Sequence, residues 1–238
     1  MKATIPPDQT DAARAPLPKM QPVTGPWITV NADYADQMAE RDRLLAQRRG
    51  DVIAMLPDAQ EACAEALEVI LEALPPLGFE VTPEQVRRPD GVWVPLAAPL
   101  DTLARLITED ICILQKQGDE HVLIAAALLF PSSWTLSQKI GRPLRAIHMP
   151  VAPYDDAIAA RVQRFFDGVR PGRPLWRANL LDYEDAALYQ PRREYEPKGR
   201  EPGVRPMFWR SERQTVLRLP RTEAVVFAIH TTVVPREA

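Results

Sequence analysis

The chain lacks the residue sets on which several classes of enzyme depend. Its 238 residues include two cysteines and three histidines, too few thiolates for an iron–sulfur cluster and no basis for a disulfide framework. The histidines are far apart and form no HExxH or HxxEH zinc motif. The sequence also has no GxGxxG or GxxxxGKS/T phosphate loop and no GxSxG nucleophile elbow. If this is a redox protein, it carries neither its own cluster nor a recognisable flavin or nicotinamide site.

Strong charge and long apolar runs are absent as well. The formal net charge is −3, from 29 basic and 32 acidic residues, so no overall basic field attracts nucleic acid. The longest apolar run, Val122–Phe130, is far too short to span a bilayer. The first 20 residues include acids and lack the apolar segment of a secretory signal. Cys63 and Cys112 lie in apolar patterns and are predicted to be buried thiols. We therefore expect a cytoplasmic protein without a nucleic-acid or membrane partner.

Glycine is scarce, with 10 residues, and proline is abundant, with 25. The prolines concentrate in residues 1–26, 143–174 and 191–206. The first group predicts a proline-rich arm that becomes ordered by lying on the body of the protein. The third group predicts either a disordered surface loop or a lid. We expect a single domain over residues 27–238 after the arm, mainly helical over 27–110 and sheet-forming over 111–238.

Apolar periodicity predicts the elements of that domain. A 3.6-residue period indicates helices over residues 34–49, 58–74, 99–110 and 155–167. Asp58 is expected to cap the second helix with Glu61 reaching back, and Pro75-Pro76 to end it. Extended runs indicate strands at Ile111–Gln115, His121–Phe130, Leu175–Leu181, Met207–Leu217 and Ala224–Val234. Residues 116–120 read as a hairpin turn between the first two. The order predicts an α+β fold with a mainly antiparallel sheet.

The stretch LFPSSWTLSQKIGRPLRAIHMPVAPY, residues 129–154, surrounds one histidine with aromatic and basic residues. His148 is the histidine, and Pro150 predicts an extended or irregular backbone around it. One imidazole among aromatic rings and guanidiniums suits a buried, dianionic macrocycle such as haem. One ring nitrogen would face the iron while the other bonds a backbone carbonyl. The alternative is a loop histidine whose hydrogen bonds are purely structural.

A second basic stretch, RSERQTVLRLPRT, covers residues 210–222. Strand alternation puts Arg210 and Glu212 on one face and Arg213 on the other. Glu212 is predicted to form a surface salt bridge or to point into a pocket. His230 ends an apolar strand and is expected to be a core or edge residue. His121 follows the hairpin turn and is expected to be exposed.

Three blocks of the sequence resemble the haem-dependent oxidative N-demethylase α-subunit family. They contain the strings FPSSW, KIGRPLxxIHxPV and ERQTxxRLPRT in family order, together with PLWRANLLDYED. The resemblance spans roughly residues 27–236. It implies a PAS-like haem domain, an antiparallel sheet with flanking helices and an N-terminal helical elaboration.

The resemblance also implies an activity. The family enzyme removes a methyl group from a small amine such as dimethylamine, using dioxygen and releasing formaldehyde. Its cofactor is haem b, and its electrons come from NADPH through a separate reductase subunit with flavin and an iron–sulfur cluster. The absence of those sites from this chain agrees with a subunit that receives electrons. The alternative reading is a haem-binding sensor or interaction module without turnover, or a homologue without haem, since fold does not fix function.

Through these motifs, the resemblance implies roles for particular residues. His148 is the expected proximal haem and metal ligand, and Glu212 and Arg213 are the expected catalytic or pocket residues. Glu212 would orient a protonated amine. Further cofactor-binding candidates are Arg142, Trp134, Tyr154 and Arg177. Two departures stand out: Leu180 occupies the last position of the family's Arg-x-Asn-Trp string, and His230 stands where an arginine is common.

Overall fold

The computed structural model describes residues 4–15, 20–149, 155–197 and 205–236. Six helices are described in these ranges: α1 Pro7–Arg14, α2 Tyr34–Val52, α3 Gln60–Ala73, α4 Pro99–Leu106, α5 Leu144–His148 and α6 Asp156–Gly168. The strands of the main sheet are β1 Gln21–Pro22, β2 Ile53–Met55, β6 Asp110–Gln117, β7 Glu120–Ala127, β8 Leu175–Tyr183, β9 Phe208–Arg218 and β10 Val225–Pro235. A small second sheet contains β3 Glu80–Val81, β4 Gln85–Arg87 and β5 Trp93–Pro95. The predicted α+β class is confirmed.

The main sheet has seven strands in the order β1-β8-β9-β10-β6-β7-β2, all antiparallel. The last strand, β10, therefore lies between β9 and β6 and joins the two halves of the chain. The β6–β7 hairpin turns within Gly118-Asp119, where Gly118 has φ +61, so the turn is tighter than the sequence predicts. Tight two-residue turns favour glycine because they need positive φ.

Alternate strand residues divide the interior into two cores. The first core lies between the sheet and helices α2, α3 and α4. The second lies between the opposite face and helices α5 and α6. First-core residues include Met38, Leu44, Ile70, Leu103, Ile111, Ile113 and Val226. Second-core residues include Cys112, Leu114, Leu123, Ala126, Leu144, Phe166 and Val216. Both cysteines are free and buried, as predicted.

A buried arginine fixes the junction between α4 and the sheet. The Arg41 guanidinium on α2 donates to the carbonyl oxygens of Ala104, Thr108 and Glu109 and to Asp110 Oδ1 at 2.8 Å. Asp110 also accepts the backbone N–H groups at positions 129 and 130, both at 2.8 Å. Buried charges persist only when paired and fully hydrogen-bonded. Arg41 and Asp110 are paired with each other and each forms further hydrogen bonds, so they tie the end of α4 to the first and second long strands.

Two helical predictions need correction. The third predicted helix ends at Leu106 rather than at residue 110, because Asp110 already begins β6. The second begins at Gln60 after a 3₁₀ turn that contains Asp58, and the side chain of Asp58 forms no cap. Its predicted end is confirmed, since a 3₁₀ turn begins at Pro75. Helix α6 starts with a true cap, in which Asp155 Oδ1 accepts the Ile158 N–H at 2.8 Å.

The N-terminal helix α1 lies against the sheet at β8 and β9. Its Gln9 side chain is buried, and Gln9 Oε1 accepts a hydrogen bond from Ser211 Oγ at 3.0 Å. Arg14 stands over the Trp209 ring at 5.8 Å. These polar contacts fasten residues 7–14 to the same face of the sheet as the first core. Of the predicted loop or lid at 191–206, residues 198–204 lie outside the described ranges.

Candidate functional site

Three polar side chains of β9 project from the sheet face that carries the second core. Val216 belongs to the second core, so alternation puts Gln214, Glu212 and Arg210 on the same face. On the neighbouring strand β8, Arg177 is directly opposite Gln214 and shares that face. The helix that bears His148 packs on the same side of the sheet. The structure thus brings three predicted site residues to one face, namely His148, Arg177 and Glu212.

His148 ends a short helix rather than lying in an extended segment, which corrects the prediction. The five residues of α5 follow Pro143, and the loop before it is pinned to β7 because Leu123 N–H donates to the Arg142 carbonyl at 3.1 Å. His148 Nδ1 lies 2.8 Å from the Leu144 carbonyl oxygen. A carbonyl can only accept, so Nδ1 carries the proton and Nε2 is the basic nitrogen.

The imidazole of His148 is held neutral. Burial lowers its pKa, and the positive charges of Lys139 and Arg177 lower it further, against the opposing effect of the Leu144 carbonyl. A neutral imidazole with one nitrogen fixed by a backbone carbonyl is the form in which histidine binds metals. The second half of the sequence prediction, a backbone partner for the other ring nitrogen, is therefore seen in the structure.

A chain of hydrogen bonds joins the polar groups of β8 and β9. Arg177 Nε donates to Gln214 Oε1 at 2.8 Å, and Gln214 Nε2 donates to Glu212 Oε2 at 3.2 Å. Arg210 Nε closes the chain with a 3.4 Å contact to Glu212 Oε1. Burial lowers the pKa of Arg177, whereas the Glu212 charge opposes that effect. Gln214 was not singled out from the sequence, although its position two residues after Glu212 puts it on the same face.

The predicted surface salt bridge of Arg210 and Glu212 is buried instead. The Arg210 side chain is fully buried, and that of Glu212 is 8% exposed. Arg210 also donates to the carbonyl oxygens of Phe130 and Leu188 at 2.6 and 2.9 Å. The guanidinium therefore supports the chain segments beside the sheet and limits the movement of Glu212.

Arg142 and Lys139 share one carboxylate at the edge of the site. Lys139 Nζ donates to Glu194 Oε1 and to the Ile147 carbonyl, both at 2.6 Å. Arg142 is 46% exposed and contacts both Glu194 oxygens at 3.3 Å. Lys139, chiefly, holds the pKa of Glu194 below its usual range. Lys139 thus restrains the end of α5 next to His148, and neither Lys139 nor Glu194 was predicted as a site residue.

The aromatic candidates have different outcomes. Trp134 is half-buried against the second core and lines a cavity of about 210 Å³ with Tyr189, Leu128 and Pro131. His148, Arg177 and Glu212 are not among the lining residues of that cavity. The neighbouring Ser132 hydroxyl is 2.6 Å from that of Tyr183 at the end of β8. Tyr154 lies outside the described residues.

Arg213 is on the opposite face of the sheet, so the structure does not bring it together with Glu212 and His148. Its Nη1 donates to the Trp27 carbonyl at 2.9 Å, and its guanidinium stands over the Trp176 ring at 5.1 Å. The two departures from the family strings share this face, since Leu180 and His230 alternate with the site-facing positions of β8 and β10. They therefore lie away from the candidate site.

A buried polar cluster occupies this opposite face. Glu109 Oε1 accepts the Thr29 N–H at 2.7 Å, and His230 Nδ1 lies 3.0 Å from the Thr108 hydroxyl. Burial raises the pKa of Glu109 to about 7 and lowers that of His230 to about 3, and Arg213 and Arg41 lower the latter further. His230 is neutral, so its 3.8 Å contact with Glu109 is no ion pair. His230 is a core residue, as expected.

His121 is fully buried rather than exposed. Helix α6 returns across the β6–β7 hairpin, and the His121 and Phe166 rings pack at 5.3 Å. Burial lowers the pKa of His121. The prediction failed because the covering helix follows 35 or so residues later in the chain, beyond the reach of a local turn pattern.

The chemical groups on the second-core face are of the types that a haem site uses. A haem site requires a basic nitrogen for iron and cationic partners for two carboxylates. His148 supplies a neutral imidazole, and Arg177 donates to a neutral amide rather than to a carboxylate. Within residues 4–15, 20–149, 155–197 and 205–236 no cluster of three histidine, cysteine or acidic side chains suits a bare metal ion. A single axial imidazole needs no such cluster.

The chain folds as an α+β protein in which Arg177 and Glu212 of the antiparallel sheet share one face with the helix that bears His148. A family model described as haem-dependent oxidative N-demethylase, alpha subunit-like, matches residues 18–238. The match covers almost the whole chain, and the chain belongs to this family. The description names haem dependence, an oxidative activity and a subunit of a larger assembly. No helix in the described part of the chain has both the length and the hydropathy needed to cross a membrane.

Proposed function

We propose that the chain is the haem-binding subunit of an oxidative N-demethylase that acts on a small methylated amine such as dimethylamine. The observation that carries the proposal is that His148, Arg177 and Glu212 lie on the same side of the main sheet. The family match supports the same assignment. The antiparallel order β7-β6-β10-β9-β8, with α5 and α6 packed on one face, supports a PAS-like domain over residues 27–238.

His148 would hold the iron of haem b through Nε2, because Nδ1 is hydrogen-bonded to the Leu144 carbonyl. Haem, when bound, supplies the iron chemistry that activates dioxygen. Arg177 is the best-placed partner for a haem carboxylate, since its charge already acts on His148. Arg142 is a weaker candidate for that role because it is exposed and bound to Glu194. Trp134 supports the loop beside the site.

Glu212 receives the substrate. A secondary amine is a cation at neutral pH, and a buried carboxylate held by Arg210 and Gln214 is a preorganised acceptor for its N–H. Dioxygen, two electrons and two protons convert the N-methyl group to a carbinolamine and water. The carbinolamine then loses its C–N bond and yields formaldehyde and the shorter amine. The electrons come from a separate subunit with NADPH-dependent flavin and iron–sulfur centres.

Arg213 is not proposed as a residue that touches the substrate. Its hydrogen bond to the Trp27 carbonyl and its contact with the Trp176 ring support a role in holding β9 from the first-core face. Leu180 and His230 are on the same far face, so the two departures from the family strings lie away from the proposed site.

The visible absorption spectrum of protein expressed with a haem precursor tests the proposal. The ferric protein should show a strong Soret band that shifts on reduction with dithionite. His148→Ala should lose the band, whereas His121→Gln, a change at another buried histidine, should retain it. The reduced protein with dimethylammonium, dioxygen and a reductase should release formaldehyde. A full Soret band in His148→Ala would disprove the ligand assignment, and haem binding without formaldehyde would favour the sensor.

A further inference from the structure

Gln214 occupies the centre of the polar chain in the candidate site. Its side chain is buried, and the two ends of its amide have different partners, Arg177 and Glu212. Because a guanidinium can only donate and an ionised carboxylate can only accept, the amide has one orientation. Its oxygen must face Arg177, and its nitrogen must face Glu212. A side chain that can only donate or only accept hydrogen bonds could not replace both contacts at this position.

The strand register explains why an amide is needed here. Arg177 is directly opposite Gln214, whereas Glu212 is opposite Asn179. Arg177 and Glu212 are therefore diagonal neighbours, a spacing that long side chains can bridge. Without a group between them, the guanidinium and the carboxylate would pair directly and neutralise each other. Gln214 instead bonds each of them with a neutral group.

We propose that Gln214 is a positioning residue that keeps Arg177 and Glu212 from pairing with each other, so that neither charge is neutralised by the other. Arg177 stays available to an anionic group, and Glu212 stays available to an ammonium group. Arg210 holds Glu212 from the other side, at 3.4 Å. This inference rests on the proposed function for the identity of the two ligands. The amide bridge itself rests on contacts within this chain.

Two substitutions separate positioning from general support of the fold. Gln214→Leu removes both hydrogen bonds at similar volume, and the affinity for dimethylammonium should fall on the order of tenfold or more. Gln214→Glu retains both bonds only when its new carboxyl group is protonated, because it then accepts from Arg177 and donates to Glu212. Relative to native protein at the same pH, the dimethylammonium affinity of this variant should be close to native in acid and depart from it as pH rises, because the ionised side chain would pair with Arg177 and repel Glu212. A residue with a merely structural role would give no such pH-dependent rescue.

The matched control is Gln37→Leu. Gln37 is also a buried glutamine, but its Nε2 donates to the Thr231 carbonyl on the first-core side. This variant should bind dimethylammonium like the native protein at every pH. Calorimetry with dimethylammonium chloride on the haem-loaded protein gives the affinities. Equal losses in Gln214→Leu and Gln37→Leu would overturn the proposal, since loss of a buried amide alone would explain them.

A second measurement is independent of haem and substrate. Proton exchange at Arg177 Nε–H can be followed by ¹⁵N NMR in the protein without ligands. Exchange should be slow in the native protein and in protonated Gln214→Glu, and on the order of tenfold faster in Gln214→Leu. Unchanged exchange in Gln214→Leu would overturn the bridge. If native protein binds no amine but exchange follows this pattern, the bridge stands and the proposed substrate is wrong.

Discussion

The buried carboxyl group of Glu109 should make the stability of the protein depend on pH in a way that one substitution reveals. Burial raises the pKa of Glu109 from 4.5 to about 7. A raised pKa means that the folded state holds the proton more tightly than the unfolded state. The resulting stabilisation is complete below the unfolded pKa and is lost as pH rises through the folded pKa. Glu109→Gln keeps an acceptor for Thr29 and removes the titration.

The expected size follows from the change in pKa. One unit corresponds to about 1.4 kcal/mol, so the full effect for this buried group is about 3 kcal/mol. Between roughly pH 4 and roughly pH 8, the unfolding free energy of Glu109→Gln should therefore rise by about 3 kcal/mol relative to native protein. His230 has the opposite dependence, because its lowered pKa contributes stability above its unfolded pKa of 6.5 that is lost in acid. In the difference between the two proteins that contribution cancels.

Urea unfolding followed by tryptophan fluorescence gives the two free energies at each pH. Glu68→Gln is the matched control, because Glu68 is 53% exposed and pairs with the exposed Arg221. Its free-energy difference from native protein should stay constant across the range. A constant difference for Glu109→Gln as well would refute the reasoning, since it would mean that Glu109 has the same pKa in the folded and unfolded states.

Three further predictions concern other parts of the molecule. Arg41→Ala should lower the unfolding free energy by about 3–5 kcal/mol, because it leaves Asp110 buried without its cation; calorimetric melting checks this, and a loss below about 1 kcal/mol, the level of an exposed pair, would contradict it. Arg177→Gln should weaken haem retention in a transfer assay to apomyoglobin, whereas Arg142→Gln should change it little, since exposed Arg142 is bound to Glu194; the reverse order would exchange their roles. His121→Leu should reduce the acid sensitivity of stability below the unfolded histidine pKa, because burial lowers the pKa of His121; parallel pH profiles for native and variant protein would oppose that explanation.

The elements that the sequence predicts well are those whose burial follows a local period. Helix α3 and strands β8, β9 and β10 appear within one or two residues of their expected bounds. The prediction extended helix α4 to residue 110, past its last apolar position at Ile107, whereas the helix ends at Leu106. The chain leaves the helix there because Arg41, more than 60 residues earlier, takes the carbonyl groups that follow α4. A periodicity argument has no access to such a partner.

The site shows the same limit. Alternation correctly separates Arg213 from Arg210 and Glu212, yet the family strings alone suggested that Glu212 and Arg213 act together. The burial of His121 depends on α6, which follows it far along the chain. The bridging position of Gln214 depends on Arg177 of β8, which precedes it by more than 30 residues. His148 ends a short helix although a proline follows Met149. A proline disfavours helical backbone at the residue before it, but this preference does not fix the conformation. Residue types were predictable, whereas their partners required the fold.

The two-faced character of β9 has a consequence for how this chain can change length. Odd and even positions of the strand serve different interiors, with Glu212 and Gln214 on one side and Arg213 on the other. A single-residue insertion or deletion inside β9 would move every later side chain of the strand to the opposite face of the sheet, and Arg213 would then lie on the face of the candidate site. A change of two residues would preserve the sides. The strand therefore tolerates only changes of an even number of residues. Length variation among relatives should be confined to the segments before Phe208 and after Arg218.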